Sequence, residues 1–284
     1  MKEIKSLVIV VGITALLYIG VEPFAHSMMH PHVAPADFSF KDINVVTFKG
    51  DSSKGKESVS SNCIVCHSLN IEGIKAPMSE VEAAISYGVV PPDLSSAGAI
   101  YDANYLASFI KNPTKTAQIE HKFNENNPYS MPSFEWISEE EMADIVSYFK
   151  EIAPQNISNK GVFEDACGRC HGMKYDAFKA LTPDENLKNY MGVKAPDLSM
   201  MIRTKNIDYL HTFMNEPQKL LFGTSMPRVG LTQKAQKQVV DYLESVGDRK
   251  KEERENLGLK IILFTLAMAC VAYLWKVKIW REVE

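Results

Sequence analysis

The sequence lacks a cluster of basic residues that would suggest a nucleic-acid-binding surface. Its densest basic run, which begins at Arg249, is interleaved with acidic residues. It contains 31 Lys and Arg against 35 Asp and Glu, so the formal net charge of the 284 residues is −4 at pH 7. A nucleic acid is therefore excluded as an expected partner. The acidic balance could steer a basic protein partner, but only weakly for a chain of this length.

Cysteine is also scarce: the chain has five, and four of them lie in two short motifs. The motifs read Cys63-x-x-Cys66-His67 and Cys167-x-x-Cys170-His171, the pattern that attaches c-type haem. Two thiols at this spacing form thioethers with the two vinyl groups of the porphyrin, and the following imidazole ligates the iron. The sequence therefore predicts two covalently bound haem c groups.

The main alternative to haem is a zinc site, because paired Cys-x-x-Cys motifs also bind zinc. Three features favour haem. A histidine follows each pair immediately, the two pairs lie farther apart than in the usual zinc site, and a Met-Pro pair follows each motif, at Met131 and Met226. A disulfide within either pair would leave the adjacent histidines unexplained.

The two motifs belong to an internal repeat. The same 104 residues separate the two motif histidines, and also the matching stretches that begin at Gly88 and Gly192. The two Met-Pro pairs are only 95 residues apart, so the first lobe carries nine extra residues before Met131. Each lobe is predicted to contain a helix, the haem motif, a loop, a helix, a methionine loop and a closing helix. Ser138 and Thr232 are the predicted N-caps of the closing helices.

Met131 and Met226 are the predicted sixth ligands of the two irons. Their equivalent places in the repeat, the proline after each and the closing helix that follows distinguish them from the other methionines. Histidine and methionine together fill both axial positions and raise the potential, which suits electron transfer. The alternatives are methionines without a repeat partner and two histidines that we interpret as surface or loop residues: Met78, Met191, Met200, Met201, His121 and His211.

Pro92 and Pro196 are predicted to lie beside the two motif histidines. There the proline carbonyls would accept the second imidazole N–H and fix the ring orientation. An ordinary turn is the alternative at both positions. Arg169 and Arg203 are candidate partners of haem propionates, and a solvated surface position is the alternative for each.

Apolar segments lie at both ends of the chain. Residues 4–24 have a basic start and a short uncharged run, typical of a signal peptide or a short anchor. We favour a retained anchor, because residues 25–27 form a poor cleavage site. Residues 257–275, followed by aromatic and basic residues, are predicted to span a membrane. Basic residues flank both ends of this segment, so charge alone does not settle its orientation. The haem motifs do, since the region before it must be outside, and they put the C-terminus in the cytoplasm. Cys270 in this segment is interpreted as a small residue facing lipid or a partner.

These features predict six parts: an N-terminal anchor or signal (1–25), a linker (26–54), a first lobe (55–153), a second lobe (154–247), a charged linker (248–256) and a C-terminal transmembrane helix (257–280). Residues 26–32 contain three histidines and two methionines that could bind a metal, although a plain linker at the membrane surface is favoured. Each lobe is small and loop-rich, so we expect the haem-free protein to be poorly folded. Covalent haem is attached outside the bacterial cytoplasm, which predicts periplasmic lobes on the inner membrane.

The expected fold class is all-α, and the two motifs with their Met-Pro pairs resemble the class I cytochrome c fold, twice over. The tandem lobes resemble di-haem cytochromes of the cytochrome c4 type. Two lobes followed by a spanning helix resemble the di-haem subunit that replaces cytochrome c1 in certain bacterial quinol–cytochrome c oxidoreductases (cytochrome bc1 complexes). The apparently retained N-terminal segment departs from a topology with a cleaved signal and one anchor.

The resemblance implies an electron-transfer subunit that is not catalytic alone, with cytochrome b and a Rieske iron–sulfur protein as partners. The Rieske protein would reduce one haem, and the electron would leave from the other to a soluble cytochrome c or a terminal oxidase. Three other functions stay open. A cbb3-type oxygen reductase subunit would lack the C-terminal helix, a di-haem peroxidase would need an open haem site, and a tethered electron shuttle would have no stable partners. Carried over by motif, the haem-holding cysteines and the iron ligands are Cys63, Cys66, Cys167 and Cys170, His67 with Met131, and His171 with Met226.

Overall fold

The computed structural model describes residues 2–29, 33–43 and 49–283 of the chain. Within these residues the protein consists of helices and turns, with isolated β-bridges and no β-strand. The predicted all-α fold class is therefore confirmed.

The α-helices of the described residues follow one another along the whole chain. They are α1 (Lys2–Leu16), α2 (Glu22–Met29), α3 (Ser52–Asn62), α4 (Glu80–Tyr87), α5 (Ala97–Ile100), α6 (Ala103–Lys111), α7 (Pro113–Thr116), α8 (Glu139–Ile152), α9 (Asn159–Ala166), α10 (Asp184–Met191), α11 (Met201–Thr204), α12 (Ile207–Asn215), α13 (Pro217–Leu220), α14 (Gln233–Gly247) and α15 (Lys251–Val283). A π-helical turn, Leu17–Val21, joins α1 to α2, and short 3₁₀ turns occur at Asn70–Glu72, Glu120–Lys122 and Lys174–Asp176.

The two lobes repeat the same order of helices, α3 to α8 in the first and α9 to α14 in the second. The helices α3 and α9 lead into the cysteine motifs, and α8 and α14 close the lobes. Ser138 Oγ accepts a hydrogen bond from the Glu141 N–H at 3.1 Å, and Thr232 Oγ1 accepts one from the Ala235 N–H at 3.2 Å. Both predicted N-caps are therefore confirmed.

Four helices, rather than the single predicted one, lie between each motif and its methionine loop. The sequence does carry a signal for α4, because Ser79 and Glu82 form a reciprocal capping box at its start. The corresponding helix α10 begins after Pro183 without a side-chain cap. Both helices end at a glycine in the left-handed region, Gly88 with φ 75° and Gly192 with φ 76°, where the chain turns into the next loop.

The closing helix of each lobe packs on the first helix of that lobe. In the first lobe, Val59 of α3 and Ile145 of α8 are fully buried together. Gly55 permits the close crossing, since a Cβ there would lie 2.1 Å from a backbone oxygen of α8. In the second lobe, Phe163 of α9 and Tyr242 of α14 pack with ring centroids 4.9 Å apart. Each lobe thus has its own apolar core next to its cysteine motif.

The lobes are joined by direct contacts within one compact unit, Met1–Gly247. Ile100 of the first lobe is 2% exposed and packs into the core of the second lobe. Its carbonyl accepts the Thr232 N–H at 2.9 Å. Elsewhere the buried Val90 N–H donates to Thr182 Oγ1 at 3.0 Å. These contacts fix the lobes to each other through backbone groups that would otherwise be buried without partners.

Residues 33–43, which we call the strap, run across the lobes without helical structure. Thr212 Oγ1 donates to the Ala34 carbonyl at 2.9 Å. Phe40 and Ile43 are buried against the first lobe. This part of the predicted linker is therefore packed. Residues 30–32 of the metal-binding alternative, and residues 44–48, lie outside the described residues.

Two helical segments of the described chain, Lys5–Met28 and Lys251–Arg281, are long and apolar enough to cross a membrane, and none of either apolar window is buried within the protein. The second belongs to a separate unit, Asp248–Glu284. The charged stretch predicted as a linker is helical from Lys251 onward. Glu, Lys and Arg favour helix, and Arg254 pairs with Asp248 at 2.6 Å. Cys270 is exposed on this helix.

Candidate functional site

Each cysteine motif forms a turn directly after a helix. In the first lobe, the His67 N–H donates to the Cys63 carbonyl at 3.0 Å. In the second, the His171 N–H donates to the Cys167 carbonyl, also at 3.0 Å. The turn brings both cysteines and the histidine of each motif to the wall of one cavity. The two lobes therefore present the same three groups in the same local backbone geometry.

The motif cysteines are free thiols, and all four are half-buried. Burial raises the pKa of Cys63 to about 11, with a smaller contribution from neighbouring Cys66. Burial likewise raises the pKa of Cys167 to about 12. The Cys63 and Cys167 thiols are therefore neutral at physiological pH, and none of the four motif cysteines is paired in a disulfide. They are available for thioether formation with a group in the cavity.

Each motif histidine is held by the carbonyl of a proline. His67 Nδ1 lies 2.8 Å from the Pro92 carbonyl oxygen, and His171 Nδ1 lies 2.8 Å from that of Pro196. A carbonyl only accepts, so Nδ1–H donates and Nε2 keeps its lone pair for a metal. Burial lowers the pKa of both histidines, although the bond to the carbonyl opposes this. The hydrogen bonds expected from the sequence are present, and they favour the neutral, ligating form of the ring.

An aspartate after each proline fixes the proline loop. The Asp93 carboxylate accepts the Asn70 N–H at 3.0 Å and the Ser95 N–H at 2.9 Å. Asp197 in the second lobe accepts the N–H groups of Lys174 and Ser199 at 2.8 and 3.0 Å. Both aspartates lie in the repeated stretch, although the pattern of that stretch predicts no role for either of them. The loop that holds the histidine is itself anchored to the segment that follows the motif.

Burial alone would raise the pKa of both aspartates, but their hydrogen bonds lower it overall. Both groups are therefore carboxylates at physiological pH. An ionised acceptor strengthens the hydrogen bonds from the backbone N–H groups.

A serine before each ligand candidate ties the methionine loop to a helix end. Ser130 Oγ donates to the Tyr87 carbonyl at the end of α4. Ser225 Oγ donates to the Met191 carbonyl at the end of α10, at 2.9 Å. The two bonds are equivalent in the repeat, and Met131 and Met226 both line the cavity. The repeat in the sequence indicates the methionines but not the serine contacts that position them.

One cavity contains the cysteine pairs, histidines and methionines of both lobes. Its other walls are mostly apolar and aromatic side chains, among them Leu94, Leu106, Phe109, Ile110, Tyr101, Tyr129, Phe134 and Val229. Such walls suit the large apolar face of a porphyrin. The donor set also fits haem: thiols for two thioethers, a neutral imidazole and a thioether sulfur in each lobe. In the described part of the chain, no group of three or more His, Cys, Asp and Glu is arranged to hold a metal ion by itself.

The competing ligand candidates lie away from this cavity. Of the described methionines, only Met131 and Met226 line it. His121 is exposed in a 3₁₀ turn. His211 lies on α12, half-buried, with Nδ1 2.7 Å from Gln236 Oε1, so it is a partly exposed helix residue and not a loop residue. Gln236 is buried, so the face of α12 that carries His211 packs against α14. The sequence pattern does not indicate this contact.

The two candidate arginines differ in position. Arg169 lines the cavity. Its backbone carbonyl accepts the Thr182 N–H at 3.0 Å, and within the described residues its guanidinium makes no hydrogen bond and no ion pair. Tyr101 and Tyr129 lie close to it, and burial raises the pKa of each to about 12, so both remain neutral. Arg203 is exposed and does not line the cavity. Of these two candidates, Arg169 is the one placed to meet an anionic group within the cavity. Arg228 also lines the cavity, and its guanidinium is paired with Asp42.

Residues 52–153 match the family model described as cytochrome c. This part of the chain is a cytochrome c domain, the kind of domain that binds haem c covalently and transfers electrons. The matched residues are those of the first lobe.

Among solved structures, the chain matches one described as "Hyperthermophilic respiratory Complex III". The match has 18% identity and a TM-score of 0.32, and it covers 96% of this chain and 99% of that chain. A TM-score this low does not establish a shared fold. No curated protein matches the sequence.

Proposed function

We propose that the chain is a membrane-anchored di-haem c-type cytochrome that carries electrons through both lobes. The observation that supports it most is the repetition of one arrangement in one cavity. In each lobe a cysteine pair, a proline-held histidine and a serine-anchored methionine line that cavity. The groups of the second lobe match those of the cytochrome c domain one by one, so a second haem is part of the proposal.

Haem supplies one-electron chemistry at its iron when bound. The chain would hold it by Cys63 and Cys66 in the first lobe and by Cys167 and Cys170 in the second. His67 with Met131, and His171 with Met226, would occupy the axial positions. With both positions filled by the chain, no site is left for oxygen or peroxide, which favours electron transfer over peroxidase chemistry.

The shared cavity supports transfer of electrons between the lobes. The same continuous space is lined by groups of both sites, with Arg169 and several tyrosines among them. A group in one lobe would therefore face a group in the other across side chains and not across bulk solvent. Arg169 would offset the negative charge of propionates in this region.

We further propose that the protein acts as a subunit of a quinol–cytochrome c oxidoreductase and is not catalytic alone. The order of two lobes followed by the apolar helix α15 supports this assignment. A Rieske iron–sulfur protein would be the electron donor, cytochrome b a neighbouring subunit, and a soluble cytochrome c or terminal oxidase the acceptor. The lobes would lie in the periplasm, anchored to the bacterial inner membrane by α15 and the N-terminal helix.

The test is purification of the full chain in a mild detergent, with identification of the subunits that come with it and a reduced-minus-oxidised spectrum of the same sample. Co-purification with b-type haem and a Rieske protein is the expected result. A copper-containing oxidase subunit without a Rieske protein would instead assign the chain to a cbb3-type oxygen reductase. A c-type spectrum without any partner would identify a tethered shuttle. Absence of a c-type spectrum would refute the haem assignment itself.

A further inference from the structure

The loop that contains Met131 is held by a tyrosine of the other lobe. Tyr190 lies on α10 in the second lobe, and its hydroxyl oxygen accepts the backbone N–H of Ser130 at 2.8 Å. Ser130 directly precedes Met131 in the first lobe. The position of the methionine therefore depends on a contact across the boundary between the lobes.

The ring of Tyr190 packs against Gly88 and aromatic side chains of the first lobe. A Cβ at Gly88 would lie 2.5 Å from this ring, so only glycine allows the contact. Phe123 and Tyr129 pack beside it, with ring centroids 5.2 and 6.3 Å from that of Tyr190. Asn127 Nδ2 donates to the Tyr190 carbonyl at 3.4 Å. Phe123, Asn127 and Tyr129 belong to the stretch before Met131 that is longer in the first lobe than in the second.

The loop that contains Met226 is held in the reverse direction. Tyr105 lies on α6 in the first lobe, is 3% exposed, and donates its hydroxyl hydrogen to the Arg228 carbonyl. The Arg228 N–H donates to the Ala117 carbonyl of the first lobe at 2.9 Å. Arg228 follows Met226 by two residues. Both its backbone N–H and its backbone carbonyl are bonded to the first lobe, and the second methionine loop is therefore held there by two hydrogen bonds.

We propose that Tyr190 and Tyr105 form a reciprocal clamp in which each lobe holds the methionine loop of the other. The two tyrosines are positioning residues for the sixth ligands, and this inference rests on the proposed function, in which Met131 and Met226 ligate iron. Separation or distortion of the lobes would loosen both methionines together. Ligation at each haem is thereby coupled to docking of the lobes.

The clamp is a property of the boundary and not of the repeated lobe. The repeat position of Tyr190 in the first lobe is Ser86, which has no phenol. The repeat position of Tyr105 is Tyr209, which is half-buried and stacks on Phe213. In the described residues the Tyr209 hydroxyl makes no hydrogen bond. Tyr209→Phe is therefore a matched control for the loss of a phenolic hydroxyl.

Binding of external imidazole to the ferric protein measures how firmly each methionine is held. Imidazole must displace the methionine, so a looser loop gives a higher apparent affinity. The charge-transfer band of ferric haem with methionine bound measures the same event without any ligand. Loss of one buried hydrogen bond of about 1 kcal/mol corresponds to roughly fivefold tighter imidazole binding.

The signals of the two haems are separated by starting from parent proteins in which one of the two methionines is replaced by histidine. All measurements use the full chain in detergent. With Met226→His, the band and imidazole exchange come from the first haem. Tyr190→Phe should then give roughly fivefold tighter imidazole binding and a weaker band, while Tyr105→Phe should change neither. With Met131→His as the parent, the two tyrosine variants should exchange their effects. Tyr209→Phe should resemble the parent in both cases.

The clamp is overturned if Tyr190→Phe and Tyr105→Phe match their parents, or if each tyrosine affects the haem of its own lobe. An equal effect of Tyr209→Phe would also overturn it, since any lost hydroxyl would then suffice. A wrong assignment of the sixth ligands would give a different result. If Met131 and Met226 do not ligate the irons, the charge-transfer band survives in the double variant Met131→His/Met226→His. Haem content and melting temperature, measured on every variant, show whether the tyrosine-to-phenylalanine changes leave the fold intact.

Discussion

The carboxylate of Asp42 forms an ion pair with the guanidinium of Arg228, with Asp42 Oδ2 2.7 Å from Arg228 Nη1. The arginine side chain is 3% exposed, whereas the aspartate side chain is 55% exposed. Arg228 Nε also donates to the Asn215 carbonyl at 2.9 Å. The strap thus supplies the counter-charge for a buried cation two residues beyond Met226.

Replacement of Asp42 by asparagine should destabilise the second methionine loop. The change leaves the buried guanidinium without its carboxylate, and the cost is about 1 kcal/mol because solvent partly screens the exposed aspartate. We expect a lower melting temperature and tighter imidazole binding at the ferric second haem. The control is Lys41→Gln in the same strap, whose ion pair with Asp37 is exposed, and which should melt like the parent. Equal melting of Asp42→Asn and Lys41→Gln would show that the strap pair contributes nothing.

Asp197→Ala should raise the potential of the second haem by an amount on the order of tens of millivolts. The substitution frees the Pro196 loop and weakens the hydrogen bond from His171, so the imidazole donates less electron density and the ferric state loses stability. Loss of a negative charge acts in the same direction. A redox titration followed by visible absorption measures the two potentials.

Asp197→Asn separates these two causes, because it removes the charge while Oδ1 can still accept the Ser199 N–H. We expect a smaller shift of the potential than for Asp197→Ala. The variants Asp93→Ala and Asp93→Asn should shift the potential of the first haem in the same way. If the alanine variants leave both potentials unchanged, the aspartates do not control histidine orientation.

Arg169→Gln should lower the potential of at least one haem. Ferric haem carries one more positive charge than ferrous haem, so a nearby cation disfavours the oxidised state. Its removal should change the potential by roughly 40 mV for each ~1 kcal/mol of Coulomb interaction. Arg169→Lys should retain part of the effect, and Arg203→Gln, an exposed arginine outside the cavity, should retain the parental potentials. A redox titration in which Arg169→Gln and Arg203→Gln coincide would rule out a role for Arg169 in the cavity.

Local patterns were sufficient for the features that depend on local chemistry. The helical fold class follows from the predicted closing helices and from what the resemblance to the class I cytochrome c fold implies. The N-caps Ser138 and Thr232 follow from residue type and spacing. The hydrogen bonds of His67 and His171 to proline carbonyls follow from the repeat, because the same short stretch occurs at the same distance from both motifs.

Contacts between the lobes could not be predicted, because they join residues far apart and break the repeat. Ser86 stands at the repeat position of Tyr190, and Tyr209 stands at that of Tyr105 without an equivalent bond, so a comparison of the two lobes gives no signal for either contact. Gly88 is a further example. The left-handed turn at the end of α4 is sufficient to explain a glycine at this position. The sequence does not indicate the second reason, which is that the Tyr190 ring leaves no room for a side chain there.

Haem-free protein should be poorly folded, because the cavity between the helices would lose its apolar filling. Contact with a porphyrin over several hundred Å² at ~25 cal/mol per Å² is on the order of 10 kcal/mol, comparable with the whole stability of a small domain. The variant with Cys63, Cys66, Cys167 and Cys170 all changed to alanine should therefore melt broadly and bind a hydrophobic dye. Cys270→Ala, on the exposed helix α15, should keep the haem and the parental melting transition. A sharp, cooperative transition with strong amide protection in the quadruple variant would mean that helix packing alone determines the fold, and the haem would then enter a preformed site.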